Sequence, residues 1–352
     1  MPRYSACVGL RDLLRTGTPA PMIPPALLSP WAVSSDLSSI VWADLLDVDL
    51  LPLTRAEAMA VPAAARARHL LCGTVAGLPL RVYRGDVELV GTEAPTWTYR
   101  TDGVVSPWHR MLWTIDDLLW TGWSLWATTR DTDGTVVDAG RVPRELWAFD
   151  ADGRTIRVDG EAVSSREVVL IPGPHEGLLT FAARTLRQAS RLEAAATRHA
   201  TNPVPSLALV QTVDVTLTET ERDDLVAGWV AARASSSGAV GFAGYGIEPR
   251  PLGIVPEQLL ESGRNAAAVD VARHASIPAA MLDATNAGAS LTYETTQGRN
   301  GQYLDYGVSL YTGAVAARLS LDDVVARGSR VAFDFTDYAA PVPDTTGPTL
   351  ED

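Results

Sequence analysis

Five histidines (His69, His109, His175, His199, His274) and two cysteines (Cys7, Cys72) have the widest chemical repertoire in this chain. A zinc helix needs two histidines four residues apart with a glutamate between them, and His175-Glu176-Gly177 supplies one. Two thiols are too few for a thiolate zinc site or a disulfide framework, and neither stands near a histidine-bearing turn. No Gly-x-Ser-x-Gly elbow occurs. All 29 basic residues are arginine. Without lysine there is no Schiff-base chemistry and no P-loop, and the bias itself reads as gene composition.

Carboxylates give no stronger signal. Asp116-Asp117 and Asp223-Asp224 are adjacent within helical segments, so each pair points to different faces and makes no acid-base couple. Asp150-Ala151-Asp152, with Glu161 at the twelfth position, has the frame of a calcium loop. Arg154 and Thr155 occupy the places of a ligand and of the invariant glycine, so a hairpin turn is expected instead. Gly238, Gly241, Gly244 and Gly246 follow a helix rather than opening one, which does not suit a phosphate cradle. Six of the ten tryptophans lie between Trp97 and Trp126. They read as a bulky core seam, with a stacking platform for sugars or bases as the alternative.

The elements that must position these residues follow from composition and period. With 352 residues, 46% hydrophobic and 20% charged, the chain can bury a substantial core. Neither a leader nor a run of about 20 apolar residues is visible, so a soluble protein of a reducing compartment is expected. A formal charge of -13 argues against wrapping nucleic acid.

Residues 1–54, punctuated by Pro19, Pro21, Pro24, Pro25 and Pro30, read as an extended arm. Helical spacing is expected over Arg55–Ala76 and Ser106–Trp126, with a strand over Leu78–Tyr83 between them. Ser124–Ile171 reads as hairpins turning at Asp131–Gly134, Asp150–Gly153 and Asp159–Gly160. A helix over Leu178–Ala200 follows, with Arg184, Arg187, Arg191 and Arg198 facing away from its apolar stripe, and then a strand ending near Leu217. The capping box Thr218-Glu219-Thr220-Glu221 opens a helix to Ala234. Ser235–Pro256 reads as a β-hairpin excursion, Pro256–Ser276 as a helix, Asp283–Thr292 as a polar loop, Leu291–Leu319 as a long helix and Val331–Phe335 as a strand.

That order resembles the portal proteins of tailed bacteriophages, the head-to-tail connectors. The likeness is carried by Leu118–Arg130 with Asp131–Gly134, Val168–Leu179 with Gly173-Pro-His-Glu-Gly177, and the helix ending in Asn202-Pro-Val-Pro205. It continues through Leu217-Thr218, Gly238–Phe242, Glu257–Glu261, Ala272–Pro278, Leu291–Glu294 and Arg318-Leu319-Ser320, so it covers about Glu57–Phe335. The resemblance implies an α+β portal fold in a ring-forming homo-oligomer, usually of twelve subunits. Residues 55–217 would be an α/β wing, 218–234 and 257–278 a two-helix stem, and 235–256 a small α/β clip. Residues 279–292 would form a tunnel loop, 293–319 a long helix behind it, and 320–352 a short strand and tail with a minimal crown.

The same resemblance assigns Asp283, Thr285, Asn286, Ser290 and Thr292 to the channel. It assigns Val240, Phe242, Tyr245, Glu248 and Arg250 to clip docking, and Glu261, Arg264, Asp270 and Arg273 to the stem. The implied partners are further copies of the chain, the terminase large subunit, a head-tail adaptor, the major capsid protein and duplex DNA passing without sequence specificity. No cofactor, metal, membrane or catalytic residue is implied, and the place of action is the capsid vertex, after assembly in the host cytoplasm. The alternatives are another structural virion component, such as an adaptor or capsid-associated protein, and a Trp-rich hydrolase acting on carbohydrate.

Overall fold

Pro62 divides the first expected helix, because it can donate no helical hydrogen bond but suits a first turn. The result is α1 (Arg55–Met59) followed by α2 (Pro62–Gly77). Thr54 and Glu57 cap α1 reciprocally, the Glu57 carboxylate accepting from the Thr54 N–H at 2.8 Å. The computed structural model describes residues 52–101, 103–150, 153, 155–201, 206–213, 217–234, 246–252, 257–284 and 296–339. Nearly all of the expected N-terminal arm therefore lies outside the described residues.

On α2, Ala64, Ala67, Leu71, Cys72 and Val75 are buried at three- and four-residue spacing. β1 (Leu80–Arg84) then pairs antiparallel with β2 (Val87–Glu88). α3 (Pro107–Thr121) is capped by the Ser106 hydroxyl and stops at Gly122, which adopts φ 75°. The expected helix to Trp126 is corrected here, since Trp123 already opens β3 (Trp123–Arg130). β4 (Val136–Val142), β5 (Trp147–Phe149), β6 (Ile156–Val158), β7 (Glu161–Ala162) and β8 (Val168–Pro172) complete two antiparallel sheets, ordered β4-β3-β8 and β5-β6-β7. The expected Asp-Gly turns join them. Asp131 Oδ1 accepts from the N–H groups of Asp133 and Thr135 at 3.0 and 2.9 Å.

Side chains alternate across a strand, and β3 uses both faces. Trp126 and Ser124 turn toward α3, joined on that side by Val169 and Ile171 of β8. Leu125 turns the other way, into a smaller core with Val142, Trp147, Ile156, Val158, Val168 and Leu170. The sheet β4-β3-β8 is thus a wall between a helical core and a second core roofed by β5-β6-β7.

Beyond β8 the expected helix Leu178–Ala200 is broken at Ala182 into α4 (Leu178–Phe181) and α5 (Ala183–Thr201). Its stripe of Leu178, Ala182, Leu186 and Ala189 is buried. β9 (Ser206–Gln211) ends earlier than expected and is followed by α6 (Glu219–Ala234), β10 (Ile247–Leu252) and α7 (Glu257–His274). β10 pairs with β9 across α6, Ile247 opposite Gln211 and Leu252 opposite Ser206. The expected β-hairpin excursion over Ser235–Pro256 is described only at residues 246–252, and the rest of it lies outside the described residues. The helix before the C-terminal strand is also interrupted, into α8 (Thr296–Gln302), a π-helical stretch Tyr303–Val308, and α9 (Ser309–Leu319). Gly307 in that stretch lies so close to Ser276 that a Cβ there would stand 2.8 Å from the Ser276 carbonyl oxygen. β11 (Ser329–Phe333), two residues earlier than expected, closes antiparallel onto β1, and α10 (Thr336–Ala339) follows. Every described strand pairing is antiparallel, as an α+β class requires.

Candidate functional site

The adjacent carboxylates of α3 are spoken for. Asp116 accepts from Arg55 Nε at 2.9 Å, Arg68 Nε at 2.8 Å and Trp120 Nε1 at 3.1 Å. Asp117 takes a two-pronged contact from Arg141, at 2.8 and 2.5 Å, and the Ser124 hydroxyl at 2.9 Å. Burial pushes the Asp117 carboxyl upward, and the Arg141 fork and the Ser124 hydroxyl pull it back. The two residues serve opposite sides of the helix, one tying it to α1 and α2, the other to β3 and β4. With their oxygens engaged in this way, they act as fasteners.

The tryptophans divide similarly. Trp97, Trp120 and Trp126 are buried, which removes them from any stacking surface. Trp126 donates to the Thr114 hydroxyl at 2.7 Å, and the buried Arg110 guanidinium lies 4.7 Å from its ring. Arg110 donates to the carbonyls of Ala139 and Trp97, and burial pushes its pKa down to about 10. The sugar-platform reading rested on this cluster, and half of the cluster is core.

A second junction lies where α3 ends. Gly122, Gly173 and Gly177 let two backbone turns touch: a Cβ on Gly122 would meet the His175 carbonyl oxygen at 2.5 Å, and one on Gly177 would meet that of Trp120. Gly122 and Gly177 also have φ of 75° and 90°, where L side chains are strained. Within this junction His175 Nδ1 accepts the Gly177 N–H at 3.0 Å, which leaves the ring proton on Nε2, 2.8 Å from the buried Tyr311 hydroxyl. Burial lowers the His175 pKa, with Glu176 opposing.

The unfolded chain therefore binds this proton more readily than the folded one. Stability due to His175 is complete above the ordinary value of 6.5 and is lost as pH falls below it. We expect denaturant midpoints between pH 7.5 and 5 to fall more steeply for the native chain than for His175→Gln. Parallel curves would show that His175 contributes nothing to the slope.

Of the residues assigned by resemblance, two meet at one place. Arg264 and Asp283 line a groove of about 370 Å³ between the start of α2, α5 and α7, together with Arg66 and Glu193. Its floor is apolar and small, including Val61, Ala189, Ala267, Ala268 and Leu282. Arg264 Nε reaches Glu193 at 2.9 Å, Arg66 Nε donates to the Met281 carbonyl at 3.4 Å, and Asp283 holds a left-handed turn at φ 57°. Arg66 and Glu193 escaped sequence reasoning, because their partners lie 71 or more residues away and no local pattern marks them.

The remaining assignments are scattered. Asp270 and Arg273 pair along α7 at 2.7 Å, and Glu261 is exposed on the same helix. Glu248 and Arg250 pair at 2.9 Å on β10, both exposed. Pro249 and Pro251 have no N–H, so the β10 donors toward β9 come from the even positions and the outer edge is short of donors. Val240, Phe242, Tyr245, Thr285, Asn286, Ser290 and Thr292 lie outside the described residues. Among its described side chains, Glu219 to Ala231, α6 is exposed, with Val226 and Val230 at 49% and 62% and only Leu225 and Trp229 partly covered. Among the described residues no group of His, Cys, Asp and Glu is placed to hold a metal, and no helix is long and apolar enough to cross a membrane.

These features define a class: an α+β protein with two cores divided by an antiparallel sheet, whose candidate surfaces are helix faces, a ribbon and a groove. Residues 62–342 match the profile of the phage portal proteins, and the chain belongs to that family. It is 37% identical to an HK97-family phage portal protein from Corynebacterium diphtheriae, covering 83% of this chain and 99% of that one with a TM-score of 0.71. The fold recurs at 17% identity in the virion of a native gene transfer agent, covering 85% of this chain and 89% of that one, TM-score 0.54. It recurs again in the neck of a native gene transfer agent particle computed with C12 symmetry, at 17% identity, 80% and 81% coverage and a TM-score of 0.53. No curated protein matches the chain.

Proposed function

We propose that this chain is the subunit of a portal ring at one capsid vertex, through which DNA is packaged and later ejected. The observation that carries the reading is the 37% identity to a phage portal protein over 99% of that protein's length. In this reading the chain acts as a conduit with no catalytic role, and it needs no cofactor. Its partners are identical subunits, the terminase large subunit, a head-tail adaptor and the major capsid protein.

Physical chemistry supports the assignment. A channel that lets DNA slide must not grip phosphate, and twelve copies would carry 12 × -13 = -156 formal charges. The exposed face of α6 gives a ring its subunit contacts, and residues 235–256, with Glu248 and Arg250 exposed, present the docking surface for motor and adaptor. Asp283 opens the segment that narrows the channel. Electron microscopy of the purified protein is expected to show face-on rings with a central hole wide enough for duplex DNA. A protein that stays monomeric at every concentration and is absent from the tail vertex of particles would overturn the reading.

A further inference from the structure

We propose that the groove between α2, α5 and α7 is the docking site of this chain's own residues 19–33, which fold back onto the body that follows them. The groove has a floor of alanine, valine and leucine and a rim that sums to zero charge, Arg66 and Arg264 against Glu193 and Asp283. Its occupant is therefore expected to be apolar, uncharged and slender, since alanine walls leave depth for a narrow chain only.

One stretch outside the described residues has that character. Residues 16–35 contain no charge over twenty positions, in a chain that is 20% charged overall, and they include Met22, Ile23, Leu27, Leu28, Trp31 and Val33. Five prolines within Pro19–Pro30 deny it the donors of a helix or central strand and favour an extended, preordered form that loses little entropy on docking. Left in water, this segment would expose an apolar run that monomers rarely tolerate. Residues 36–49 are unsuited to the groove, because Asp36, Asp44, Asp47 and Asp49 would bring four carboxylates to a neutral rim.

Where the described chain begins decides in favour of its own arm. Leu53 is buried in the helical core and Arg55 is bonded to Asp116, so the backbone at residue 52 is anchored close to α2. The nine steps from there to Val61 on the groove wall cover at most about 30 Å, whereas the eighteen residues 34–51 reach about 60 Å when extended. A tether that outreaches its target about twofold holds the segment there at millimolar effective concentration.

The test uses the full chain with Cys7→Ser, so that the buried Cys72 is the one native thiol and reports global folding. Ala268→Cys places a thiol on the groove floor, and Ala266→Cys, in a separate variant, places one on the exposed side of the same helix. A maleimide is expected to modify the thiol of Ala268→Cys about tenfold more slowly than that of Ala266→Cys, the protection given by roughly 90% occupancy. Removing residues 1–35 should abolish the difference while Cys72 stays unreactive, and removing residues 1–15 should leave it intact. Equal rates in the full chain would overturn the proposal, as would protection that survives removal of residues 1–35. Protection that grows with protein concentration would assign the groove to a second copy, which also overturns it.

Discussion

Asp116→Ala is expected to lower the unfolding free energy by about 3–5 kcal/mol, the loss seen when one partner of a buried ion pair is removed. In a chain of this size that is a fall of roughly 4–7 °C in melting temperature. The carboxylate is buried and accepts three donors from three sequence regions, so its loss strands the Arg68 guanidinium and the Trp120 indole N–H in a dry site. Arg55 suffers less, because its side chain is 47% exposed and can return to water. Arg55→Ala is accordingly expected to cost under about 1 kcal/mol. Asp116→Asn keeps one acceptor and should fall between the two. Thermal unfolding followed by circular dichroism orders the three variants. A shift below about 2 °C for Asp116→Ala would mean that the Arg68 guanidinium and the Trp120 indole find water, contrary to their burial.

The same residues show what a sequence can and cannot reveal. Adjacent carboxylates in a helix must diverge, and Asp116 and Asp117 do; their partners, Arg55 and Arg141, lie 61 and 24 positions away and carry no local mark. The capping box before α6 is a local device and forms as read, Glu221 accepting from the Thr218 N–H at 2.9 Å.

By contrast, Gly122 continues an apolar spacing that looks helical, and only the distant turn at His175, filling the space of its missing Cβ, makes it a stop. β9 and β10 form one ribbon with α6 between them, so neither strand announces its partner by proximity in sequence. Ser329 and Arg330 look too polar to begin a strand. They pair with Arg84 and Tyr83, and the Arg330 guanidinium covers the Tyr83 ring at 4.5 Å, a contact between residues about 250 positions apart. The groove is the extreme case, because three helices and a short turn contribute a few small side chains each.

Val226→Asp combined with Val230→Asp is expected to abolish ring assembly and leave the fold of the single chain unchanged. Both side chains are already exposed on α6, so the isolated subunit loses little, within about 0.5 kcal/mol each. They stand four residues apart on one face, beside the partly covered Trp229, and so form the apolar edge of a helix whose other positions are largely charged or small. Within the proposed ring that edge is closed by the next subunit. An unpaired carboxylate there costs about 3 kcal/mol, or roughly a hundredfold in affinity per substitution at each interface. A closed ring repeats that penalty at every contact, so assembly fails altogether rather than weakening in proportion. Sedimentation velocity at matched concentration is expected to show rings for the native chain and a folded monomer for the double variant. Rings that persist with both aspartates would place the subunit contacts on another face and leave α6 turned to solvent.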